Sequence, residues 1–202
     1  LADGAKLLGS DNPNDYINID PFTDAVNQER GKCLVGIRKV SGVSITGSGS
    51  IDGSGKCFKN EYLKTVALKY GLDSKLGVYV SNRPFLVRLV DSKDIQISGV
   101  KMENAAAWSC HIFRCNNVSI DGISINSHVN KNADGIDIDS SSKVYISNCD
   151  IDTGDDAICL KTTAPEPSFD INVENCRLKT DWGAIKIGTE SMGDVYNVNI
   201  KN

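Results

Sequence analysis

Nowhere in the chain does an apolar run approach the roughly 20 residues that a membrane-spanning helix needs, and the first residues lack the basic, apolar and small-residue order of a signal peptide. Clusters of basic charge are missing too. The 22 Lys and Arg are scattered among 26 Asp and Glu, so neither nucleic acid nor an anionic membrane is favoured as a partner. Aromatics are few at 6%, and Pro 5 against Gly 18, with short runs of Ile and Val, points to many short strands and tight turns rather than helices. The seven cysteines follow no zinc spacing; being odd in number, they leave at least one free unless it pairs between chains, and most are read as small buried apolar residues. What is present suffices for a sizeable core: 202 residues, 40% hydrophobic and 24% charged, read as one β-rich domain spanning 1–202. The chain opens on Leu1 and stops at Asn202 in mid-repeat, so both ends are expected to belong to a longer protein, with any export signal outside this stretch.

One motif recurs through the second half. It reads Ile95-Gln-Ile-Ser-Gly-Val-Lys-Met102, Val118-Ser-Ile-Asp-Gly-Ile-Ser-Ile125, Val144-Tyr-Ile-Ser-Asn-Cys-Asp-Ile151, Ile171-Asn-Val-Glu-Asn-Cys-Arg-Leu178 and Val198-Asn-Ile-Lys-Asn202, and Val43 to Ile51 is an earlier copy with one extra residue. Apolar residues alternate with period two, skip by three across a small residue, then alternate again: strand, corner, strand. The corner column holds Gly99, Gly122, Asn148, Asn175 and Asn202, the residue types that most readily accept positive φ. Steps of this length are the geometry of a parallel β-helix, in which no coil can bury its apolar face alone. A β-sandwich is the alternative, but the Asp-Gly pairs it would use as turns fall at different places relative to the ladder.

A third strand aligns as Cys110-His-Ile112, Ile136-Asp-Ile138, Ile158-Cys-Leu160 and Ile185-Lys-Ile187. Its apolar members should face inward and leave His111, Asp137, Cys159 and Lys186 in one outward column. Just before it runs a further column, Trp108, Asp134, Asp156 and Gly183, and adjacent coils about 4.8 Å apart would make Asp134 and Asp156 stacked neighbours. Residues 56–82 interrupt the repeat; the apolar spacing within Glu61 to Tyr70 predicts a loop or short helix there, read as a solvated excursion.

Asp134, Asp155 and Asp156 thus converge. Like charges held so close cannot all ionise freely, so at least one should keep its proton near neutral pH, the division of labour that glycoside hydrolysis requires. By spacing alone, the same aspartates would also serve as a calcium site or as turn caps.

Asn132-Ala-Asp-Gly-Ile-Asp-Ile138, followed by Thr153-Gly-Asp-Asp-Ala-Ile-Cys-Leu-Lys161, resembles family 28 of the glycoside hydrolases, the polygalacturonases and rhamnogalacturonan hydrolases. Ile45 to Gly53, Arg83-Pro84 and Trp108-Ser-Cys-His111 match in the same order. The resemblance implies a right-handed parallel β-helix and an inverting hydrolase acting on pectic polysaccharide. Asp155 would be the general acid, and Asp134 and Asp156 would hold and activate the water in an open groove, with no metal or organic cofactor. Two departures stand out. Ala133 replaces the usual threonine, and Trp182-Gly183-Ala184 replaces a Gly-His-Gly segment, as in rhamnogalacturonan hydrolases. The family's Arg-x-Lys element would lie beyond Asn202.

Around the aspartates, Lys186 and His111 are candidates to contact an acidic sugar, Trp108 to stack on a sugar ring or cover the groove wall, and Asn132 and His128 to line the groove. Three functions compete. The first is an extracellular or periplasmic pectic hydrolase; the second, a lyase that holds calcium on the aspartates; the third, a binding β-helix without turnover.

Overall fold

Alternating Ile and Val broken by a positive-φ residue makes the chain bend sharply at fixed intervals, and stacking the bends lets each strand pair with its counterpart one coil on. The computed structural model describes residues 1–25, 27–71 and 83–201 and is a right-handed parallel β-helix of three sheets. The first sheet stacks Lys6–Leu8, Ser50–Asp52, Lys101–Glu103, Ser124–Ser127, Asp150–Thr153 and Arg177–Thr180. The second stacks Ser41–Thr46, Lys93–Ser98, Asn116–Asp121, Ser142–Ser147, Ser168–Glu174 and Val195–Lys201. The third runs Glu29–Arg38, Phe85–Val90, Cys110–Phe113, Ile136–Asp139, Ile158–Thr162 and Ile185–Ser191.

The register follows the repeat residue for residue. Val43, Ile95, Val118, Val144, Ile171 and Val198 form one ladder, and Ile51, Met102, Ile125, Ile151 and Leu178 another. Fully buried isoleucines such as Ile112, Ile136, Ile138 and Ile158 fill the bore, each contributing about 1.5–3 kcal/mol relative to exposure. At the corners Gly99, Gly122, Asn148 and Asn175 all take positive φ, between 53° and 72°, as the bend demands; Asn202 lies outside the described residues. All seven cysteines are free thiols, five of them buried.

One strand breaks the parallel rule. Ile17–Thr23 pairs antiparallel with Glu29–Arg38 and lies over the outer face of the third sheet. Its Phe22 packs among Phe85, Trp108, His111 and Phe113, with ring centroids 5.7–6.5 Å away. Beneath it Arg88 is fully buried, donates to the Asp20 carbonyl at 2.9 Å and stacks over three phenylalanine rings. The insertion contains a helix, Asn60–Tyr70, stopped by Gly71 at φ 61°. A preceding turn, Gly55–Phe58, sets Phe58 edge-on against Tyr16, and Lys69 pairs with Asp11. Residues 72–82 of the expected insertion lie outside the described residues.

Candidate active site

Four consecutive coils build one small cavity of about 180 Å³, whose lining includes Asp134, Asp155, Asp156, Trp108, Lys161 and Lys186. The predicted column is present: Ser109 donates its N–H to the Asp134 carbonyl, Gly135 to Asp156, and Ala157 to Gly183. Carboxylate oxygens of Asp134 and Asp156, together with the Cys159 thiol, lie within 4.8 Å of one another. Asp134 is 3% exposed and Asp156 1%, and each keeps one carboxylate oxygen, Oδ1, buried without a hydrogen-bond partner among the described residues. Asp155 is the half-exposed member of the three. Its position is set by its carbonyl, which accepts from Thr153 at 2.8 Å and from Thr180 on the next coil at 2.5 Å, while one of its carboxylate oxygens accepts the Asp156 N–H.

Burial, reinforced by Asp155 and Asp156 nearby, pushes the Asp134 carboxyl up to about 7 even though Lys161 opposes the shift. The carboxyl that keeps a proton near neutrality is therefore Asp134. Asp137, fully buried on the strand that follows Asp134, is also raised well above the ordinary carboxylate range, chiefly by burial and then by Asp134. Positive charge faces these groups from two lysines. Lys161 is buried, binds Glu190 at 3.1 Å, lies 3.7 Å from Asp137 and stands 4.6 Å from the Trp108 ring centre. Lys186 reaches Asp156 Oδ2 at 2.7 Å; partial burial works to lower its pKa, but that hydrogen bond and the Asp156 charge together raise it.

The outward column His111, Asp137, Cys159, Lys186 is in register as expected, but His111 is not available to a sugar. It is fully buried, hydrogen-bonded to Asp139 at 3.0 Å beneath Phe22, and burial depresses its pKa to about 4. Side-chain alternation correctly put it outside the bore; the covering strand, which carries no repeat signature, then shut it off from solvent. Trp108, 3% exposed and stacked on Phe85 at 5.1 Å, covers the cavity wall with its ring packed rather than displayed. Asn132 takes positive φ and accepts from Arg83 at 2.9 Å, orienting the loop into Asp134. His128 bridges Asp152 at 2.6 Å and Asp181 at 3.3 Å on the rim of a neighbouring 710 Å³ cleft, which Phe58, Lys59 and Glu61 of the insertion also wall.

Lys161 was legible, since alternation after Ile158 and Leu160 turns it outward. Glu190, Asp24 and Arg30 were not. Glu190 lies on Ile185–Ser191 past its register shift, Arg30 near the start of Glu29–Arg38, and Asp24 between that strand and Ile17–Thr23, where no periodicity reports on neighbours. As a cation site the cluster offers two carboxylates and a thiol facing two ammonium groups, a poor match for calcium, which takes six to eight oxygen donors.

The sequence profile of glycosyl hydrolases family 28 matches residues 16–202. The chain belongs to that family. Among family members, a probable polygalacturonase of Vitis vinifera is 31% identical over 170 residues, 79% of this chain and 32% of that protein. A probable endo-xylogalacturonan hydrolase A of Neosartorya fischeri is 28% identical over 193 residues, 88% of this chain and 42% of that one. Among solved structures, the hyperthermoactive exopolygalacturonase of Thermotoga maritima superposes with a TM-score of 0.82 at 26% identity, over 100% of this chain and 53% of its own. The chain thus spans about a third to a half of the length of these family 28 relatives.

Proposed function

We propose that this chain carries the catalytic coils of a hydrolase that cleaves glycosidic bonds in a pectic, uronate-containing polysaccharide, with inversion at the anomeric carbon. The observation that carries this reading is the convergence of Asp134, Asp155 and Asp156 on one cavity, walled by Lys161 and Lys186. In this reading Asp155, the most accessible of the three carboxyls, protonates the leaving oxygen, and the stacked pair holds the attacking water, whose proton goes to the ionised member of the pair. Family membership and the relatives' names support the pectic class. A polymeric cell-wall substrate does not cross a membrane, which supports an extracellular or periplasmic site of action.

Purified protein would be tested on homogalacturonan, rhamnogalacturonan and xylogalacturonan, with reducing ends counted and product anomers followed by NMR. Replacing Asp155 by Asn is expected to abolish product while the circular dichroism of the β-helix is unchanged. Full activity in that variant would end the assignment. Unsaturated, ultraviolet-absorbing products that vanish on chelation would instead favour a lyase.

A further inference from the structure

Asp134 and Asp156 are chemically identical and stacked, yet their surroundings differ. A Cβ at position 183, next in the same column, would stand 2.8 Å from Asp156 Oδ1 and 3.5 Å from Lys186 Cβ. Gly183 therefore leaves room for Asp156 Oδ1, while the Lys186 ammonium meets Asp156 Oδ2 at 2.7 Å. The opposite oxygen, Oδ1, is left buried without a partner among the described residues. Lys161, the other lysine of the cavity, is directed away to Glu190, the Gly188 carbonyl and Asp137.

We infer that Lys186 is a positioning residue that selects Asp156 over Asp134 as the base, by fixing Oδ2 and leaving Oδ1 as the oxygen that takes the proton of the attacking water. This rests on the hydrolase reading above. In the reaction the water loses a proton to Asp156 Oδ1, and its oxygen bonds to the anomeric carbon. The glycosidic C–O bond breaks, and the leaving oxygen takes the proton of Asp155. Lys186 stays protonated throughout and touches no reacting atom. The titratable and charged groups around this pair are Asp134, Asp155, Cys159 and Lys161 from the preceding coils, Glu190 from the same strand as Lys186, Arg30 from Glu29–Arg38, and Asp24 from the N-terminal crossover.

The test compares Lys186→Met, which keeps the stem without its charge, with Lys186→Arg. With Lys186→Met, kcat is expected to fall on the order of 100-fold with KM within about twofold, and the acid limb of the kcat profile to move to higher pH as the cation favouring the ionised carboxylate is lost. Lys186→Arg should recover kcat to within about tenfold of wild type. A raised KM at unchanged kcat would make Lys186 a sugar contact and overturn the assignment, as would an unmoved profile. If Lys186→Met does not fold, 13Cε-lysine NMR of the wild type and of Asp156→Asn decides. Lys186 should titrate above the ordinary lysine range and drop in the variant, and insensitivity would overturn the pairing. An active wild type with an unaffected Lys186→Met sinks this inference alone, whereas a wild type inactive on all three polymers sinks the hydrolase reading with it.

Discussion

A carboxyl held at 3% exposure beside two others costs stability whenever it is forced to ionise, and Asp134 is such a group. Its folded pKa of about 7 lies above the unfolded value near 4, so between those limits the folded state binds more protons and stability falls as pH rises. Asp134→Asn is therefore expected to be inactive yet more stable than wild type at pH 8, by up to about 4 kcal/mol, with the advantage gone near pH 4; urea midpoints at the two pH values check it. His111 has the opposite sign. Its folded pKa, about 4, lies below the unfolded 6.5, so its contribution is complete above pH 6.5 and is lost as the pH falls through 4. His111→Gln should flatten the acid side of the stability curve relative to wild type. Both residues were visible in the sequence as members of outward columns. What alternation alone does not reveal is depth: it tells which way a side chain leaves the strand, and only the neighbours decide whether water follows.

Strands and corners were the most legible elements, because inward ladders and positive-φ turns each demand particular residue types at fixed spacing. Asn148 at φ 55° is a direct case: Asn148→Ala should cost about 1 kcal/mol and Asn148→Gly far less, read from thermal melting. Within the ladders Ile138→Ala removes a side chain with no exposure between Ile112 and Leu160 and should cost about 2–5 kcal/mol. The helix Asn60–Tyr70 falls in the stretch whose spacing leaves a loop or a short helix open. The covering strand Ile17–Thr23 was not expected, since Ile17 and Phe22 make no periodic pattern, and its partners were fixed only when the third sheet's outer face existed to receive it. That strand explains why Arg88 and His111 are buried outside the bore.

Taken as a stack, the molecule is well sealed in its middle and open at its last described coil. Ile187 is 65% exposed and Ile200 50%, whereas Leu160 and Val173, one coil earlier in the same ladders, are 2% and 3% exposed. Val195–Lys201 also presents a row of backbone groups to which a further strand can add. The 202-residue polypeptide on its own is expected to associate with rising concentration in analytical ultracentrifugation, and Ile200→Lys to reduce that association without loss of the remaining coils.

The antiparallel crossover also changes how such a stack can come apart. A solenoid whose coils touch only their neighbours should peel open from an end, one layer after another. Here Asp20 grips Arg114, and the Ala25 N–H binds Glu190, 165 positions along the chain, so the crossover works as a latch spanning several coils. Pulling on Ile185–Ser191 should therefore load the first segment at once, and rupture of the coils between them in a force experiment should come as one large event rather than as a staircase.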